Sequence, residues 1–237
     1  MPVISFVSPK GGAGKTTAAI LLATELANKG IGVTVIDADP RQWVCRWGQG
    51  DNIPASLNIE PFHRPDGGDE TAIIDQIEDA AEKTPFVIID LEGTANHRIG
   101  LAVSRSDLVI VPTQPGPMEG ESAAEAIKLV KSQERAFRIK VPFAVLMTRL
   151  PAAIRTRIER NLVEQMQSAD IPVFQTQLME RSAFRAIVEQ RCTLEQLPPN
   201  TYKLEDAIAN ARSFAGEVIA MYKAQQGKQD ERKEAAA

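Results

Sequence analysis

Residues 3–17 read VISFVSPKGGAGKTT. The first five, Val3 to Val7, are apolar apart from Ser5 and form a run of strand length. Three glycines and two lysines follow within residues 8–17. Such a loop bends the backbone tightly and turns several N–H groups toward one point, and the N-terminus of a following helix adds its own. The product is an anion site suited to a chain of phosphate oxygens. In a loop of this kind the lysine after the last glycine, Lys15, reaches the outer phosphates, and the next hydroxyl, Thr16, binds Mg²⁺. Gly11, Gly12, Ala13, Gly14 and Thr17 complete the candidate phosphate-binding segment. The common pattern has glycine at position 9, where this chain has Pro9, and a second lysine, Lys10, stands at the head of the loop.

Outward from this stretch, short apolar segments recur at Val33–Ile36, Leu57–Ile59, Phe86–Leu91, Leu108–Val111, Phe143–Met147 and Ile171–Phe174. Helical patterns at Thr16–Lys29, Thr71–Lys83, Glu119–Arg138, Ala153–Gln167 and Ser182–Gln190 separate most of them. Strands apolar on both faces, alternating with amphipathic helices, belong to a parallel sheet covered on both sides. The expected fold is therefore a single α/β domain: a doubly wound, mostly parallel sheet with helices on both faces. Gly48–Gly68 reads as loop around one short strand. Leu204, Ala207, Ile208, Ala211, Ala215, Val218, Ile219 and Tyr222 recur at helical spacing and describe a helix docked on the body. Residues 1–222 form the expected domain. Residues 223–237, KAQQGKQDERKEAAA, are charged without an apolar stripe and read as a disordered, solvated tail.

With 237 residues, 43% of them apolar, the chain can bury roughly 70–75% of its unfolded surface in one domain. A net charge of −4 exerts no overall pull toward nucleic acid or an anionic membrane, so such a partner would need a local patch. Cys45 and Cys192 match no metal-ligand spacing, and a reducing cytoplasm fits them best. No run approaches the ~20 apolar residues of a spanning helix, and no membrane partner is expected.

The segment KGGAGKTT, residues 10–17, resembles the deviant Walker A loop of the ParA/MinD family of P-loop ATPases. The resemblance implies ATP and Mg²⁺ as cofactors and ATP-dependent homodimerisation, with Lys10 reaching the partner subunit's nucleotide. VTVIDADP, ending at Pro40, resembles that family's DxDP segment and implies that Asp39 orients the attacking water near the metal, with Asp37 in support. Read alone, a DxD at a strand end is more often a turn or a helix cap. FVIID, residues 86–90, resembles the family's Walker B strand and places Asp90 at a Mg²⁺-bound water. The family continues with small residues or proline, whereas this chain has Leu91-Glu92-Gly93. Glu92 is either a supporting group or the catalytic glutamate of a different P-loop class. VPTQPGPMEG is similar to a partition-ATPase stretch in which Pro112 and Pro115 would wall the purine, and Thr148 and Arg149 at a strand end are further candidates for the base. DADPRQWVCRW resembles both small partition proteins and ATPases that accompany conjugative and T-DNA transfer.

Charge is uneven along the chain. Residues 128–160 carry a balance of +7 and residues 51–92 one of −9, so a dipolar molecule is expected. Within Ala153–Met166, Ile154, Ile158 and Leu162 form the expected buried stripe, leaving Arg155, Arg157 and Arg160 outward. The resemblance implies non-specific DNA binding, which such a patch would achieve through phosphate contacts; charge runs are also often plain solvated faces. Trp43 and Trp47 read as packing residues. The expected activity is slow, partner-stimulated ATP hydrolysis that positions a plasmid, chromosome or DNA-transfer complex from the cytoplasm, at the nucleoid or a pole. Positioning of a protein cargo without DNA, and a metabolic synthetase on the same scaffold, are the alternatives.

Overall fold

The computed structural model describes residues 1–65, 68–93, 97–151 and 157–234, with side chains described as far as residue 227. Seven strands form one all-parallel sheet in the order β3-β2-β4-β1-β5-β6-β7. They are β1 (Val3–Phe6), β2 (Val33–Ala38), β3 (Leu57–Pro61), β4 (Phe86–Leu91), β5 (Leu108–Thr113), β6 (Phe143–Leu150) and β7 (Leu178–Met179). β1, β2, β4 and β5 are buried at every position, which is why their sequences read as unbroken apolar runs.

The helices divide between the two faces. α1 (Lys15–Ala27), α2 (Trp43–Trp47), α7 (Ser182–Gln190) and α8 (Leu204–Glu234) cover one core, with Ile4, Phe6, Val35 and Ile88 beneath them. α3 (Ala72–Lys83), α4 (His97–Ser104), α5 (Pro117–Phe137) and α6 (Arg157–Ser168) cover the other, over Ile36, Ile89, Val109 and Val145. α1 lies between the sheet and α8, so Ala18 through Ala27 are all buried and the helix lacks a polar face. α2 is anchored by Trp47, which is 1% exposed and donates its indole N–H to the Cys192 carbonyl at 2.9 Å. Truncating it to alanine would cost about 3–5 kcal/mol.

Connections on opposite faces leave a crevice at the carboxyl ends of the strands. The segment after β1 turns toward the first face, while the segments after its neighbours β4 and β5 turn toward the second. Register completes the arrangement: Phe6 pairs with Asp90 and Asp37 pairs with Asp90, so three adjacent strands deliver their chemistry to one place.

Four expectations are corrected. Ile171–Phe174 is no strand, because Pro172 has no N–H to give a ladder. Only the Val145–Val173 bridge forms there, and the seventh strand is β7. α6 is rotated from the expected phase: Ile158 is 55% exposed and Glu159 is buried, while Ile154 lies outside the described residues. α4 lies where no helical pattern was read and is too short to show a period, whereas α2 is a helix carrying Trp43 and Trp47 at the i,i+4 spacing expected of one. Finally, α8 continues to Glu234 instead of ending near Tyr222. The Ala, Gln, Lys, Glu and Arg residues of 223–234 are good helix formers and need no apolar stripe to extend an existing helix.

Candidate functional site

The loop between β1 and α1 is bent by Gly12 and Gly14, at φ of +82° and +95°. Both angles lie where side chains with a Cβ are strained. A Cβ added at Gly11 or Gly12 would meet nothing within 4 Å, so the loop borders open space there. That space is a cleft of about 560 Å³ lined by residues 11–17, Asp39, Arg41, Trp43, Glu92 and Arg149.

Lys15 opens α1 and is 7% exposed, its Nζ donating to the Ser8 carbonyl at 3.2 Å. Burial lowers its pKa, while the charges of Asp90, Asp39 and Glu92 oppose the shift. Thr16 Oγ1 donates to Asp90 Oδ2 at 2.7 Å. The second carboxylate oxygen, Asp90 Oδ1, is buried with no hydrogen-bond partner. Burial pushes the Asp90 carboxyl up to about 7, against the Thr16 hydrogen bond and the Lys15 charge. An orphaned, fully buried carboxylate oxygen costs free energy unless something outside the chain engages it. Together with the Thr16 hydroxyl it forms the oxygen donor pair that a magnesium ion takes, directly or through water.

The two aspartates of β2 separate in role. Asp37 accepts the Cys45 N–H at 2.9 Å and the Asp39 N–H at 3.3 Å, tying the strand end to α2, and burial raises its pKa. Asp39 accepts the Arg41 N–H at 2.8 Å, so it does close a turn, and it also faces the cleft. Glu92 lines the same cleft, its pKa raised by burial. Lys10, 39% exposed, is ion-paired with Glu119 in the first turn of α5.

A side cavity of about 110 Å³ shares Gly14, Thr17 and Arg149 with the cleft. Its far wall is Leu178, Met179 and Phe184, with Glu180, Arg181 and Arg185 around it. Thr148 lines it, but its hydroxyl is directed to the Ala13 carbonyl at 2.7 Å, holding the glycine loop. Arg149 lines both cavities, in a left-handed conformation at φ +53°. Pro112 and Pro115 are not brought to either wall: Pro112 sits in β5 opposite Leu146. The β7–α7 wall was missed because its residues join the site only through the chain's return to the sheet edge.

Arg157 and Arg160 are exposed at the start of α6, as expected, and Arg155 lies outside the described residues. The basic run does not form one surface. α6 packs beside the start of α5, where a Cβ on Gly120 would lie 2.8 Å from Leu162 Cδ1. Arg135 and Arg138 end α5 roughly 25 Å away, at 1.5 Å per residue. Trp43 is also not a packing residue; it is 43% exposed at the cleft mouth, with the Arg46 guanidinium 5.1 Å from its ring.

An all-parallel doubly wound sheet with a glycine loop, Lys15, Thr16 and Asp90 at its switch point defines a P-loop nucleotide-binding protein of the ParA/MinD type. Comparison with known proteins narrows the class. The VirC1 protein family matches residues 1–199. The chain is 31% identical to Protein ParA of Rhizobium radiobacter over 223 residues, 91% of this chain and 95% of that one. It is 30% identical over 192 residues to Protein virC1 of the same organism, covering 80% and 81%. A putative plasmid partition protein from Borrelia burgdorferi, bound to AMPPNP, superposes with a TM-score of 0.70 at 19% identity, covering 93% and 99%. The chain belongs to the VirC1 family of ParA-like ATPases, related to partition and T-DNA-transfer proteins.

Proposed function

We propose that the chain binds Mg-ATP in the cleft, dimerises through it and hydrolyses it slowly, and that the ATP-bound dimer holds non-specific DNA to position a plasmid or DNA-transfer complex. The observation that carries the reading is Asp90, with one oxygen bonded to Thr16 and the other buried without a partner beside an open glycine cradle. Amides of residues 11–16 and the Lys15 ammonium hold the phosphates, and the side cavity beyond Gly14 takes the base. The bound metal would supply charge neutralisation at the outer phosphates. Thr16 and Asp90 hold it, with Asp39 nearby. Asp39 orients a water for in-line attack, the positioning on which phosphoryl transfer chiefly depends. Lys10 exchanges Glu119 for the second subunit's phosphates, so the site is complete only in the dimer. A stimulating adaptor protein resets the cycle.

Arg157 and Arg160, at the same sheet edge as the cleft, are the proposed DNA contacts, and Arg155, outside the described residues, is proposed with them. A second reading, a protein cargo docked on that face, is favoured by Ile158, exposed between the two arginines. Mass measurement in solution and retention on non-specific DNA, each with and without ATP, test the proposal. Wild type is expected to dimerise and to be retained only with ATP, and Lys10→Ala to do neither. ATP-dependent dimers without DNA retention would favour the protein cargo, and an Lys10→Ala variant that dimerises like wild type would overturn the lysine's role.

A further inference from the structure

Arg98, in the first turn of α4, is an arginine held in place from every side. Its side chain is 9% exposed. Nε and Nη2 donate to the two carboxylate oxygens of Glu70, at 2.6 and 3.2 Å, and Nη1 donates to the Ala38 carbonyl at 2.9 Å. The guanidinium carbon lies 4.5 Å from the centre of the Phe62 ring. One side chain thus joins four segments at the carboxyl edge of the sheet: the end of β2, the residue after β3, the approach to α3, and α4. It does not line the cleft.

Its bond to Ala38 bears on the next residue. The Ala38–Asp39 peptide is a rigid plane. Arg98 holds its carbonyl end, and Asp37 Oδ1 accepts from its N–H end at 3.3 Å. A plane held at both ends fixes the N–Cα bond of Asp39, and the Arg41 N–H that Asp39 Oδ1 accepts at 2.8 Å restrains the side chain's turn about it. A surface ion pair would not require this geometry: burial, a bidentate fork and a third bond to one particular carbonyl together specify an orientation.

We infer that Arg98 is a positioning residue for the reaction, aiming Asp39 into the cleft by clamping the peptide that precedes it, with Glu70 locking the clamp. The inference rests on the proposed role of Asp39. Lysine retains the charge but cannot span Glu70 and the Ala38 carbonyl as the fork does. Misplacing a catalytic group by a fraction of an ångström to an ångström costs roughly 10- to 100-fold in turnover.

Steady-state ATP turnover and ATP affinity should be measured on the full chain as wild type, Asp39→Ala, Arg98→Lys, Glu70→Gln and the Arg98→Lys/Asp39→Ala double variant. Arg98→Lys is expected to lower kcat about tenfold or more while ATP affinity stays within about twofold of wild type. It should add nothing once Asp39 is gone. Glu70→Gln, which keeps a hydrogen-bonding partner, is expected to give a smaller loss in the same direction and stands in if Arg98→Lys fails to fold. Wild-type kcat in the available Arg98 or Glu70 variant, with Asp39→Ala impaired, overturns the inference alone. An equal loss in both Asp39 backgrounds, or a loss that follows ATP affinity, also overturns it. Wild-type turnover by Asp39→Ala removes the role of Asp39 and this inference with it.

Discussion

At the scale of single residues, the site is built from burial set against charge. Asp90 is the extreme case, a fully buried carboxyl held up at about 7. Between the ordinary carboxylate range and that value, the folded chain keeps a proton that the unfolded chain has released. The resulting stabilisation is complete in acid below about pH 4 and disappears as pH rises through about 7. Asp90→Asn has no charge to bury and lacks this slope. In denaturant unfolding without nucleotide or divalent metal, wild type is expected to lose roughly 2–3 kcal/mol more than Asp90→Asn on going from about pH 5 to pH 8. Parallel pH profiles for the two proteins would show that Asp90 is not desolvated. The residues legible in the sequence were those whose function is local. Lys10, Lys15 and Thr16 lie within seven residues of one another, and the phosphate-binding role proposed for them needs no distant partner to be read. Arg98 and Glu119 gave no such sign, because their partners Ala38 and Lys10 are 60 and 109 residues distant and meet them only in the fold.

At the scale of elements, periodicity identified the long helices and the buried strands, since a parallel strand covered on both faces cannot be mistaken for an alternating one. It failed where one residue governed the outcome. Pro172 denies a strand to an apolar run, and the phase of α6 follows the burial of Glu159 instead of Ile158. The wall of the side cavity likewise depends on how α7 is seated, and that seating is visible at one glycine. A Cβ on Gly50 would lie 1.8 Å from the Arg191 carbonyl oxygen, just past the end of α7. The nearby Trp47–Cys192 hydrogen bond draws the same two segments together. Gly50→Ala must push them apart, and a loss of about 1–3 kcal/mol in chemical denaturation is expected. Unchanged stability would mean that this contact is loose and that α7 is seated by its apolar face alone.

At the scale of the whole molecule, the strand order gathers the chemistry and the charge at one edge. The glycine loop, Asp39, Asp90 and the start of α6 with Arg157 and Arg160 all sit at the carboxyl ends of the strands, while Arg135 and Arg138 lie at the opposite end. The described basic residues of the +7 stretch are therefore spread from one end of the sheet to the other instead of forming one patch, which only the fold could reveal. No helix among the described residues is long and apolar enough to cross a membrane. Every function proposed for this edge, from dimerisation to cargo, depends on nucleotide entering the cleft. The most direct test is calorimetric titration of ATP with Mg²⁺ into wild type and Lys15→Ala. The account predicts saturable, one-per-chain binding to wild type and its loss in the variant; no binding to wild type, or equal binding to both, would contradict it.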